Sequence, residues 1–295
     1  MVILGAMVDD SDEGNESVTA DQISRFNTNQ GKNLGVVYFT NKWAIDGVKF
    51  PLEKANIVKS FNATPMVRIQ NSEDPDGAPK SGGKYSHKNI IDGKWNAELK
   101  QYALDVKSFG EIVCLEYGTE INGGWFSWSD EGPEMFKKAF QHLVNLFHIQ
   151  NVSNVRWVFH VDATDNPNSK KWYPGDNYVD IIGTSCYGGP NSPNEKGEGC
   201  ISALTKCYKN FSNISKNKML AILEWGLGDP EDTRKTFEVL HHTFPRIKIL
   251  QLWNEKVIAG HSEDYIPDGR IDVTPENLKA FREGAANPAY RSSYP

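Results

Sequence analysis

The chain has no run of the roughly 18 consecutive apolar residues that a membrane-spanning helix needs, so no segment is read as one. It has no basic excess either. With 32 Lys+Arg against 38 Asp+Glu the net charge is -6, and no Lys/Arg cluster breaks that balance. Neither a nucleic-acid surface nor a membrane partner is therefore expected. Cysteine is scarce. Cys114, Cys186, Cys200 and Cys207 form no C-x-x-C pair and have no His partner at zinc-like spacing. Cys114 reads as core, and a bridge between Cys186 and Cys200 is left open. The start, MVILGAMVDD, lacks a basic n-region and a small-residue cleavage site, so it reads as a first strand rather than a signal peptide. Asp9, Asp10, Asp12, Glu13 and Glu16 read as a solvated acidic loop. His160 and Asp162 share a strand face but have no third ligand at a suitable spacing. No metal and no other cofactor is expected.

Aromatic residues are plentiful: 11% of the 295 residues, with eight Trp and eleven Tyr. Eight short apolar runs punctuate the chain: 2–8, 34–39, 65–69, 112–118, 155–161, 179–187, 219–225 and 247–253. They are near-continuously hydrophobic, which suits strands buried on both faces of a parallel sheet. Helical patterns lie between most of them. Asp229-Pro230-Glu231 and Thr274-Pro275-Glu276 open helices, and Phe109-Gly110 closes one. Only a short turn is expected between the fifth and sixth strands. Strands alternating with helices predict a (β/α)₈ TIM barrel, α/β in class and a single domain over 1–295. The 70–92 segment is a long polar insertion after the third strand, on the face where loops build a cleft.

In such a barrel the chemistry sits at the C-terminal ends of the strands. Two strands here end on a carboxylate followed by Trp: Glu120 in EYGTEINGGW and Glu224 in LAILEWG. Arg68, Tyr187, Trp125, Trp253 and Trp43 fall at or just past other strand ends. Paired carboxylates are what glycosidic cleavage needs, one as acid and the other as nucleophile or base. The indoles offer faces for pyranose rings. Arg68 has two readings left open, a substrate contact or a neutraliser of Glu116 on the neighbouring strand. For the two carboxylates the alternative is a solvated pair, and for Trp125 and Trp253 packing at the barrel mouth.

The span IIDGKWNAELKQYALDVKSFGEIVCLEYGTEINGGWFSW, with WYPGDNYVDIIGTSCYG, LAILEWG and LQLWNE, resembles glycoside hydrolase family 26, the β-mannanase family. The resemblance implies that Glu120 is the acid/base and Glu224 the nucleophile. It also implies that Trp125 and Trp253 contact sugar and that Tyr187 hydrogen-bonds the nucleophile. Implied too are a retaining mechanism, endo-type cleavage of a β-linked polysaccharide, and an extracellular place of action for a monomer. β-1,4-Mannan is the first substrate it suggests, with β-1,3-xylan and mixed-linkage β-glucan as variants. Three positions depart from the family pattern: Thr119 stands where a His is usual, Ser185 where an Asp is common and Glu116 where an Arg is frequent. They motivate an alternative, a carbohydrate-binding barrel without turnover.

Overall fold

The structure, a computed structural model, describes residues 1–11, 16–75, 83–162, 168–187, 199–227, 229–255 and 268–294. Its strands are β1 (Val2–Met7), β2 (Val36–Lys42), β3 (Thr64–Gln70), β4 (Val113–Tyr117), β5 (Val155–Val161), β6 (Ile181–Tyr187), β7 (Met219–Gly226), β8 (Ile247–Trp253) and the short β9 (Tyr290–Arg291). Each of β1 to β8 runs parallel to its neighbours, and β1 pairs with both β8 and β2, which closes the sheet. The fold is the expected (β/α)₈ barrel. Its helices are α1 (Ala20–Gln30), α2 (Trp43–Asp46), α3 (Leu52–Ser60), α4 (His87–Ile91), α5 (Asn96–Phe109), α6 (Gly132–Ile149), α7 (Cys200–Ser212), α8 (Pro230–Thr243) and α9 (Pro275–Ala285). Between β5 and β6 a single turn of 3₁₀ helix, Ser169–Trp172, takes the place of a long helix.

The helix ends follow from local chemistry. Asp229 and Thr274 cap α8 and α9 by accepting from the backbone N–H groups of Asp232 and Asn277, with Pro at the first helical position. Thr19 and Gln22 form a reciprocal capping box at α1. Gly110 ends α5 in the left-handed conformation, φ 82°.

Side chains alternate across each strand, so inward positions recur every second residue. Ile3, Val36, Met66, Cys114, Val158, Ala221 and Ile249 fill the barrel interior with apolar atoms. One step further along β2 to β5, the next inward positions are Tyr38, Arg68, Glu116 and His160, all buried. The interior thus changes from oil to a polar layer on approaching the C-terminal face. Outward residues of the strands pack with the helices in a second, larger core.

β9 completes the lower rim. Val2 and Ile3 pair with Tyr290 and Arg291, while Gly5 to Met7 pair with β2. Gly35 makes this passage feasible: a β-carbon there would stand 2.6 Å from Ile3 and 2.9 Å from the backbone of Ser292 and Ser293. The four cysteines are buried and form no disulfide among the described residues, with the sulfurs of Cys186 and Cys200 2.8 Å apart.

Candidate active site

Strand β4 runs out at Tyr117, and Gly118 (φ 73°) turns the chain. Glu120 itself has φ 47°, a left-handed conformation that costs a non-glycine residue about 1 kcal/mol or more. Several contacts hold it there. The Gly123 N–H donates to the Glu120 carbonyl at 2.8 Å, and the Trp128 indole donates to the Thr119 carbonyl at 2.7 Å. Asn122 grips the end of β5 through two bonds, donating to the Asp162 carboxylate at 2.6 Å and accepting from its N–H at 2.9 Å. Gly123 leaves space for the next aromatic, since a β-carbon would lie 2.2 Å from the Trp125 ring. That ring folds back so that its Nε1–H donates to Glu120 Oε2 at 2.8 Å. The indole is 46% exposed and presents a face to solvent. The Ser185 hydroxyl donates to the other oxygen, Glu120 Oε1.

Glu224 reaches the interior by a different device. Ala221 and Leu223 already face inward on β7, so simple alternation would turn Glu224 outward. The β6–β7 register shifts between Thr184 and Ser185: Thr184 pairs with Ile222, but Ser185 pairs with Glu224. This bulge gives two successive inward residues, a known way to re-aim a side chain. Glu224 is then buried, and its Oε2 accepts from the Tyr187 hydroxyl at 2.8 Å. Its Oε1 has no hydrogen-bond partner among the described residues and lies 3.9 Å from Arg68 Nη1. Burial, and secondly the Glu120 charge, push its carboxyl up to about 7, against the pull of Arg68 and His160.

The sequence left Arg68 between two partners. It is the Cα partner of Glu116 on β4, yet its guanidinium lies 3.4 Å from Glu16 and 3.9 Å from Glu224. It also stacks over the rings of Phe126 and Trp253, at 5.5 and 5.6 Å to their centroids. Despite its burial, the carboxylates of Glu16, Glu224 and Glu116 and the hydroxyl of Tyr38 raise its pKa further, so it stays charged. Glu116 is neutralised directly by His160, whose Nδ1 lies 3.0 Å from Oε1.

Other expectations need correcting. Trp43 is wholly buried against Tyr85, ring centroids 5.5 Å apart, and has no face for a sugar. Tyr85 arrives from the 70–92 insertion, which also carries α4. Trp253 is 4% exposed and meets Tyr38 edge-on. Its Nε1–H donates to Glu255 at 2.8 Å. Burial, then Glu16, push Glu255 up to about 8. The acidic stretch after β1 is not simply solvated. Asp9 is buried and accepts from Ser11, Ser17 and Gln22, and Glu16 joins Thr40 and Arg68. Asp12 and Glu13 lie outside the described residues.

Two histidines have structural partners that the sequence does not announce. His87 bridges the Tyr117 hydroxyl and the Trp128 carbonyl, both at 2.7 Å, and so ties α4 to the Glu120 turn. His160 sits between Glu116 and Ser185, 3.0 Å from each. A lone His inside an apolar strand, RWVFHVD, carries no sequence signal that separates it from a core residue.

The fold and these carboxylates define a TIM barrel with two acidic side chains brought together at the C-terminal mouth. The family model of glycosyl hydrolase family 26 matches residues 96–229, which include both of them. Endoglucanase H of Acetivibrio thermocellus is 26% identical over 90% of this chain and 29% of its own length. The mannan endo-1,4-beta-mannosidase A and B of Caldalkalibacillus mannanilyticus is 28% identical over 58% of this chain and 34% of its own. The chain thus spans about a third of each of these relatives. Among solved structures, GH26C from Muricauda sp. superposes with a TM-score of 0.69 over 98% of this chain and 86% of that one, at 16% identity. Over residues 96–229 the chain is similar to glycoside hydrolase family 26.

Proposed function

We propose that this barrel is a retaining, endo-acting glycoside hydrolase for a β-linked polysaccharide, with Glu120 as acid/base and Glu224 as nucleophile. One observation carries the reading. Ser185 is the Cα partner of Glu224 and at the same time donates to Glu120, so the two carboxylates converge on one residue from different strands.

In the first step Glu224 Oε1, the oxygen without a hydrogen bond among the described residues, attacks the anomeric carbon. The bond from that carbon to the leaving oxygen breaks as Glu120 passes its proton to that oxygen. In the second step water attacks the same carbon, Glu120 takes the water proton, and the ester to Glu224 breaks to restore its carboxylate. Tyr187 holds the other oxygen of Glu224 and Arg68 offsets the charge. Trp125 offers a sugar-stacking face, and Trp253 with Arg68 bounds the floor.

β-1,4-Mannan is the first polymer to test. A specific observation favours a second, a β-glucan. Endoglucanase H aligns over 90% of this chain while the mannosidase aligns over 58%, and Thr119, Ser185 and Glu116 all line the site. Reducing-sugar release should be measured on mannan, β-1,3-xylan and mixed-linkage glucan, with the product anomer followed by NMR. Glu224→Ala should abolish release from the accepted polymer. Undiminished release by that variant sinks the mechanism, and inverted product sinks retention. Polymer binding without release by the unsubstituted protein would favour the non-catalytic barrel.

A further inference from the structure

The three positions that depart from the family pattern belong to one connected unit. Glu116 Oε1 accepts from the Thr119 hydroxyl and from His160 Nδ1, and Oε2 accepts from the Tyr38 hydroxyl at 2.6 Å. His160 Nε2 lies 3.0 Å from Ser185 Oγ, and Ser185 in turn meets Glu120 Oε1. Glu116, Thr119, His160 and Ser185 are each 2% exposed or less. No bulk water competes for these bonds.

Donor counting gives the unit a direction. Glu116 only accepts, so His160 Nδ1 carries a hydrogen. Ser185 has a single proton. If that proton points to Glu120, His160 Nε2 must donate to Ser185, and the ring is an imidazolium. If Glu120 holds a proton on Oε1, it donates to Ser185, whose own proton then turns to a neutral Nε2. The two arrangements differ by the transfer of one proton along Nε2–H···Oγ–H···Oε1, with no atom moved far and no charge lost.

We infer that His160 is a positioning residue that shares one proton with Glu120 through the Ser185 hydroxyl. Glu116 keeps the ring in place and compensates its charge, while Thr119 and Tyr38 hold Glu116. The charged and titratable groups around the ring agree. Burial works against the imidazolium, but Glu116 from β4, Glu224 from β7 and Glu120 from the turn outweigh it and raise His160. Burial likewise works against a charged Glu116, but His160, then Arg68 and Thr119, hold it below the usual carboxylate range. Ser185 thus acts as a proton conduit at a position where the family commonly has an acid.

The inference rests on Glu120 being the acid/base, and its test separates the two. Ser185→Ala, Ser185→Thr and His160→Gln are compared with the unsubstituted protein on the accepted polymer and on a 2,4-dinitrophenyl β-glycoside of the same sugar, whose leaving group needs no proton. Ser185→Ala and His160→Gln should lose about tenfold or more in kcat on the polymer. Bond cleavage on the activated glycoside should hold within about threefold, because it needs no general acid. The basic limb of the pH profile should move, and Ser185→Thr should restore both readouts. Equal losses on both substrates, or no loss on the polymer, overturns the inference. Imidazole ¹⁵N NMR provides a readout independent of turnover: Glu120→Gln should lower the His160 midpoint, and Ser185→Ala should weaken that coupling. A His160 titration indifferent to Glu120 also overturns it. If no β-glycan is cleaved by the unsubstituted protein, the acid/base reading fails while the NMR titration still decides the relay.

Discussion

Ser185 stands beside Glu224 across the β6–β7 ladder while its hydroxyl donates to Glu120, so a single serine touches the surroundings of both carboxylates. This follows from a bulge of one residue in β7. Without it Glu224 would share the outward face with Ile222, and the mouth of the barrel would hold one carboxylate.

The same burial that hides Glu224 sets a pH limit. As the proposed nucleophile Glu224 must be ionised, and in the free protein its carboxyl is pushed up to about 7, by burial first and then by Glu120. The acidic limb of kcat/KM should therefore have its midpoint near 7 rather than in the ordinary carboxylate range. Below it kcat/KM should fall about tenfold per pH unit. A limb with a midpoint near 4.5 in a kcat/KM profile would show that another group governs the site.

Linkage turns that shift into a stability prediction. Between the unfolded carboxyl value near 4.5 and the folded value of about 7, the unfolded chain is ionised while the folded one keeps its proton. Folding then takes up a proton, so stability falls as pH rises through this window, and the full penalty is present above it. Glu224→Gln removes the titration. At pH 8 it should be more stable than the unsubstituted protein by on the order of 1–3 kcal/mol, and the gap should close as pH falls towards 4.5. Denaturant melts at several pH values read this directly, and a gap independent of pH would contradict the assigned penalty.

Trp125 makes two separable contributions. Its indole N–H holds Glu120 Oε2, and its exposed face is free to stack on a sugar. Trp125→Phe keeps a face and loses the donor, so kcat should fall by roughly fivefold with KM nearly unchanged, the effect of about 1 kcal/mol. Trp125→Ala loses both, and KM should also rise by about 3–10-fold. If both variants changed only kcat, the ring would have no role in sugar binding.

Much of this was legible in the residues. Strands buried on both faces give unbroken apolar runs, and a run ending in Glu-Trp-Gly or turning through Asn-Gly-Gly marks a strand end, so the barrel and both carboxylates could be read. The orientation of Glu224 could not. Register shifts arise from pairing between β6 and β7, and no residue type in LAILEWG records them. Trp43 misled because Tyr85, which covers it, comes from a distant insertion. His160 was obscured for the opposite reason: its partners Glu116 and Ser185 lie on two neighbouring strands, far apart in the chain.

The strained turn at Glu120 allows a test in which chemistry and stability part company. Its φ of 47° is one that a β-carbon resists and glycine accepts freely. Glu120→Ala and Glu120→Gly both delete the carboxylate, and with it the bonds from Trp125 and Ser185, so both should lose polymer hydrolysis. They differ only in the β-carbon and in the freedom of the unfolded chain. At a typical site alanine is the more stable choice, by reducing that freedom. Here the native conformation penalises it, so the glycine variant should be the more stable by about 1 kcal/mol. For a chain of this size that is a melting temperature higher by about 2 °C. The reverse order would show that the turn relaxes once the carboxylate is gone, and that the contacts of Glu120, rather than the Gly118 and Asn122 frame, impose its conformation.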